Sequence, residues 1–145
     1  MSKVENFLTQ AEEQAVVEAI RVAEMATSGE IRVHIEKTTS IVAFDRALEV
    51  FHLLKMNETQ LKNGVLIYVA VKDKAFVVCG DQGINELVPT DFWESTKNVM
   101  AAHFKNDDFK QGLIDGITIA GEQLKKYFPC QVDDKNELSN EISNG

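Results

Sequence analysis

The chain has 145 residues, enough for one domain with a sizeable core, and its 44% hydrophobic and 26% charged residues are ordinary for a globular soluble protein. A formal charge of −8, from 23 acidic against 15 basic residues, argues against nucleic acid or an anionic membrane as partner, because both need a basic surface; it leaves room for cations. No signal peptide is visible in the polar start, and the longest apolar run, residues 65–71, is far too short to span a bilayer, so the expectation is a cytoplasmic monomer with no membrane association.

Thr9 and Glu12 have the spacing of a capping box, and Ala15, Val16, Ala19, Ile20 and Ala23 follow at helical intervals. Ser28-Gly29 is expected to stop that helix, with the glycine taking a left-handed conformation. Ile31, Val33 and Ile35 alternate, which predicts a half-buried strand. A second helix is expected from about Ile41 to Met56, with Phe44, Leu48, Phe51 and Leu54 inward. Asn63-Gly64 opens the strand Val65 to Val71, apolar on both faces and therefore central. The short connection through Asp73 returns Ala75 to Cys79 beside it as a hairpin.

Gly80 through Pro89 reads as a loop. Asp91 and Glu94 then start a helix reaching His103, and Asn106-Asp107-Asp108 starts the last one, with Phe109, Leu113, Ile117, Ala120, Leu124 and Phe128 on its core face. Gly112, Gly116 and Gly121 inside it each cost roughly 1 kcal/mol relative to Ala, which points to close packing of that helix on the sheet. Residues 1–129 form the expected domain, and 130–145, polar and acidic, a disordered tail. The first two strands and their crossover helix make a right-handed parallel unit, with the third strand antiparallel to the second. The fold class is therefore α/β, a small mixed sheet of about four strands with helices on both faces.

This topology places Asp81, at the end of the third strand, on the rim where the first two strands begin at Glu30 and Asn63. Glu86 and Asp91 follow closely, and Asp107 and Asp108 come from the loop before the last helix. Clustered loop carboxylates with carbonyl groups are what hard cations such as Ca²⁺ need, six to eight oxygens from flexible chain. Asp91, Asp107 and Asp108 serve equally well as helix N-caps, whereas Asp81 lies in a loop whose glycines would suffice to make the turn. The candidate metal ligands are thus Asp81, Glu30, Glu86, Asp91, Asp107 and Asp108, with Ca²⁺, Mg²⁺ or Mn²⁺ as the ion. Other chemistry finds no template. His34, His52 and His103 lack zinc spacing, and Cys79 and Cys130 form no disulfide framework. The chain has neither a phosphate-binding Gly-Lys-Ser/Thr loop nor a Gly-x-Ser-x-Gly elbow. Asp45-Arg46 reads as an exposed helix start, and His34, His103 and Trp93 as structural.

Four segments in order, Ser28-Gly-Glu-Ile-Arg-Val33, Asn63-Gly-Val-Leu-Ile67, Gly80-Asp-Gln-Gly-Ile84 and Phe104-Lys-Asn-Asp-Asp-Phe109 with Gly112-Leu113, resemble the TPM domain family over roughly Thr9 to Phe128. That resemblance implies a three-layer α/β/α sandwich and, for some members, bound divalent metal or a proposed acid phosphatase activity. Family members are commonly exported or membrane-anchored, which this sequence does not suggest. Asn106 stands where a glycine is common, and Asp81 looks like an additional carboxylate in a glycine loop one residue wider than usual. The expected function is a divalent-metal domain whose loops are ordered by the ion, with a regulatory role toward an unidentified protein partner. The alternative is a metal-dependent phosphatase.

Overall fold

The structure is a computed structural model that describes residues 8–59, 61–129 and 142–144. Helix α1 (Gln10–Glu24) begins with the expected box: the Glu12 amide donates to the Thr9 hydroxyl and the Thr9 amide to the Glu12 carboxylate. Strand β1 (Glu30–Glu36), helix α2 (Ala43–Leu53) and strand β2 (Gly64–Ala70) form the crossover unit, and β3 (Ala75–Gly80) returns antiparallel to β2. A single helical turn α3 (Gln82–Asn85), helix α4 (Glu94–Lys105) and helix α5 (Phe109–Tyr127) follow. The sheet order is β3-β2-β1-β4, in which β4 is only Ser143–Asn144, paired parallel with β1 beside His34 and Ile35. Most of the expected tail, 130–145, lies outside the described residues; within it, 142–144 supply this short edge strand and Ile142 packs against the core.

Helices α1, α4 and α5 cover one face of the sheet. Val16, Ile20, Met100, Leu113, Ile117 and Leu124 pack there on Ile31, Val33, Ile35, Val65 and Ile67. Helix α2 and the 3-10 turn Met56–Glu58 cover the other face, burying Ala47, Val50, Phe51 and Met56 against Leu66, Tyr68 and Cys79. The layers are α/β/α, as expected. With both faces covered, β1 is buried along nearly its whole length rather than on one side only.

Three local expectations fail for identifiable reasons. Helix α2 turns Ala47, Val50 and Phe51 inward, leaving Phe44 51% and Leu48 40% exposed. The small Ala47 side chain allows close approach where Arg46 beside it reaches Glu36 on the sheet. Gly29 is not left-handed: the positive φ angles among the described residues belong to Lys55, Lys62, Lys74 and Asp107. A Cβ on Gly29 would instead come within 3.0 Å of a Leu124 methyl. The glycines of α5 do permit close packing, but against helices rather than the sheet. A Cβ would strike the Phe104 ring at 2.6 Å from Gly112, Met100 at 2.6 Å from Gly116 and Ala23 at 2.9 Å from Gly121.

Between α2 and the sheet lies a buried polar network centred on Glu36, which is 4% exposed. Arg46 donates to both of its carboxylate oxygens, from Nε at 2.9 Å and Nη2 at 3.0 Å, and also reaches Glu49 at 3.1 Å. His34 Nε2 lies 3.1 Å from Glu36 Oε1, and the Tyr68 hydroxyl donates to Oε2. Burial alone would raise the Glu36 carboxyl, but the hydrogen bonds from Arg46, Tyr68 and His34 hold it down at about 2. Burial pushes the His34 imidazole below its ordinary value, and its Nδ1 sits 3.0 Å from the Ser143 hydroxyl. Arg46 is therefore no exposed half of a surface pair; it fastens α2 to the sheet.

Candidate functional site

One end of the sheet gathers the backbone of three segments. Glu30 pairs with Gly64 across β1 and β2, its amide donating to the Asn63 carbonyl at 3.3 Å. The Asp81 amide donates to the Gly64 carbonyl at 2.9 Å, one step beyond the Val65–Gly80 pair, so Asp81 continues the β3 register. Paired positions on neighbouring strands send side chains to the same face. Glu30 and Asp81 thus emerge on the α2 side, one on each flank of Gly64, which has no side chain to fill the space between. Two strand spacings separate their Cα atoms by about 10 Å.

Around this pair the rim is tightly packed and rich in oxygen. Buried Asn63 donates from Nδ2 to the Ser28 carbonyl at 3.2 Å, tying the β1 and β2 entries together. Gly83 presses on the loop before Asn63 so closely that a Cβ would lie 2.4 Å from the Leu61 carbonyl oxygen and 2.5 Å from that of Lys62. Asp81 caps α3, its Oδ1 accepting from the Gln82 amide at 2.7 Å. Its second oxygen, Oδ2, is buried without a hydrogen-bond donor, as are the hydroxyl oxygens of Ser28 and Thr59 on the two adjoining loops. Buried oxygens without donors are costly unless something else satisfies them.

Glu24, at the end of α1, is a further acid at the start of β1. Its carboxylate accepts from the Ile31 amide at 2.9 Å. Burial, reinforced by the charge of Glu30 and only partly offset by the Ile31 amide, pushes the Glu24 carboxyl up to about 7. Its signal in the sequence was faint, one acid at a helix end six residues before Glu30.

The other candidates do not converge on this point. Glu86 is exposed and accepts from Gln82 Nε2 at 2.8 Å within the α3 turn. Asp91 is exposed, and the cap of α4 falls to Trp93, without a side-chain bond. Asp107 and Asp108 lie at the opposite end of the sheet, because α4 starts beside Gly80 and runs back to Phe76. There Asp108 sits 3.7 Å from His103 Nδ1 as the N-cap residue of α5, with no side-chain cap bond. Among the described residues no group of three or more His, Cys, Asp or Glu is arranged to hold a metal ion. A cation at the rim would draw on Glu30 and Asp81 and complete its shell with carbonyl and hydroxyl oxygens, a donor set suited to hard ions and not to zinc. Cys79, two residues before Asp81, is no nucleophile, since burial first and the Asp81 charge second push its thiol up to about 12.

The TPM domain family profile matches residues 1–123. The solution structure of BA42 protein from the psychrophilic bacterium Bizionia argentinensis is 61% identical, with a TM-score of 0.93 over 100% of both chains. The N-terminal domain of a P. gingivalis protein aligns at TM-score 0.68 with 17% identity, covering 84% of this chain and 79% of its own. The N-terminal domain of a Corynebacterium glutamicum protein aligns at 0.64 with 8% identity, covering 95% and 80%. These last two share the fold alone. No curated protein matches the chain.

Proposed function

The chain belongs to the TPM domain family, and on that premise we propose that it is a divalent-cation domain, Ca²⁺ first, with Mg²⁺ or Mn²⁺ as alternatives. The ion binds at the Glu30–Gly64–Asp81 rim. The observation that carries this reading is the buried Asp81 Oδ2 without a hydrogen-bond donor, on a residue that flanks the side-chain-free Gly64 with Glu30 on the other flank. Asp81 and Glu30 supply charge, and the oxygens of Ser28, Thr59 and the Asn63 loop complete the shell. The ion offsets the repulsion from Glu30 that adds to burial in raising Glu24, and it joins the loops that carry Ser28, Thr59 and Asp81. Helix α2, which covers the same face, leaves Val42 69%, Phe44 51% and Leu53 69% exposed, which favours an ion-dependent interaction role over catalysis.

Titrating Ca²⁺ and Mg²⁺ into chelator-treated protein while following backbone amides tests the placement. Shifts should concentrate at 28–30, 59–64 and 81–83. Shifts confined to 105–109, or none at all, contradict it. In the same samples, phosphomonoester turnover of roughly 1 s⁻¹ or more, abolished by one substitution at the rim, would replace the binding role with a phosphatase.

A further inference from the structure

At the end of the sheet away from that rim, a cavity of about 390 Å³ opens between the β2–β3 hairpin and the α4–α5 junction. Its walls are apolar: Val69 and Val71 from the sheet, Ala101 from α4, and the rings of Phe76, Phe104 and Phe109. Phe104 meets Phe76 edge to face at 5.2 Å and Phe109 at 5.6 Å, so the wall is a continuous aromatic surface. Gly112 makes it possible, because any side chain there would displace the Phe104 ring.

The mouth is charged. Lys74 and Lys105 line it, both exposed, and neither is in an ion pair among the described residues. Asp73, between the hairpin lysines, is turned away: its carboxylate accepts from the Thr38 hydroxyl at 2.8 and 2.9 Å and the Thr39 amide at 2.9 Å. Among the described residues Asp107 is the one carboxylate lining the mouth, so the two lysines leave a local excess of one positive charge there, on a chain whose net charge is −8.

We infer that this cavity is a binding site for a medium-chain monocarboxylate, with the hydrocarbon chain against the three phenylalanines and the carboxylate between Lys74 and Lys105. The volume lies at the small end of the ~300–1,000 Å³ typical of small-molecule sites, which suits a single short chain rather than a membrane lipid. The charge balance selects the head group. One negative charge neutralises the mouth, whereas a phosphate monoester would leave it negative beside Asp107.

Titration of the full chain with octanoate, followed by amide shifts, tests this. Saturable shifts at Val71, Phe76, Phe104 and Lys105 are expected. Binding should weaken about tenfold, ~1.4 kcal/mol, for octanol in place of octanoate and for Lys105→Glu. Ala101→Phe, at an exposed helix position, should fill the cavity and abolish the shifts while the melting temperature is kept. The inference fails if octanoate gives no saturable shifts there, if octanol binds as tightly, or if Ala101→Phe binds normally.

Discussion

Replacing Glu36 with Gln should remove most of the acid sensitivity that the α2 anchor gives the fold. Glu36 is buried, accepts from Arg46, His34 and Tyr68, and has its carboxyl held at about 2, against an ordinary value of 4.5. A carboxyl depressed on folding contributes stability that is present above its unfolded value and lost as pH falls through its folded value. The window is therefore pH 4.5 down to about 2. A displacement of about 2.5 pH units at ~1.36 kcal/mol each makes about 3 kcal/mol, a large share of the 5–15 kcal/mol of an ordinary domain. Urea unfolding of the wild type and Glu36→Gln at pH 7, 4, 3 and 2.5 measures it. At pH 7 the variant should be less stable by about that amount, and the gap should close as the wild-type carboxyl takes up its proton. A gap that stays constant from pH 7 to pH 2.5 refutes the assigned role of the network.

Two further substitutions probe the rim. Gly83→Ala must displace the Leu61–Lys62 backbone and should cost about 1–3 kcal/mol, whereas Gly80→Ala meets only Ile84 and Trp93 side-chain atoms, none nearer than 3.3 Å, and should cost less in the same thermal melts. Glu24 titrates in the opposite sense to Glu36. Its carboxyl is raised on folding, so the ion-free wild type should lose stability as pH rises from 4.5 to about 7, and Glu24→Gln should lack that slope in urea unfolding.

The layers and the order of the first three strands were legible because they rest on patterns with a fixed period: the doubly apolar run at 65–71, the hairpin after it, and the i, i+4 face of the last helix. The short β4 beside β1 was not, because it falls in a polar, acidic stretch with no strand pattern. Helix α2 misled because Phe44 and Leu48 repeat at helical spacing as convincingly as Ala47 and Val50 do, and only the buried Glu36–Arg46 pair fixes which stripe turns inward. That pair is hard to see in sequence. Its partners are ten residues apart on different elements, and nothing in the spacing says that both faces of β1 are covered. At the candidate site, the placement of Glu30 and Asp81 on one rim, either side of Gly64, followed from hairpin geometry alone. The placement of Asp107 and Asp108 did not, because it depends on the direction in which α4 crosses the sheet.

On the proposed reading, a divalent cation binds at Glu30 and Asp81 and holds their loops. Binding to the folded form alone raises stability by about 2.7 kcal/mol at a hundredfold excess over Kd, which for a domain of this size lifts the melting temperature by roughly 8 °C. Melts of the chelator-treated protein and of the protein with saturating Ca²⁺ measure this directly. That rise is expected for the wild type and for Asp45→Asn, an exposed acid on α2, and a much smaller one for Asp81→Asn. Melts that coincide with and without Ca²⁺, Mg²⁺ and Mn²⁺ would contradict it.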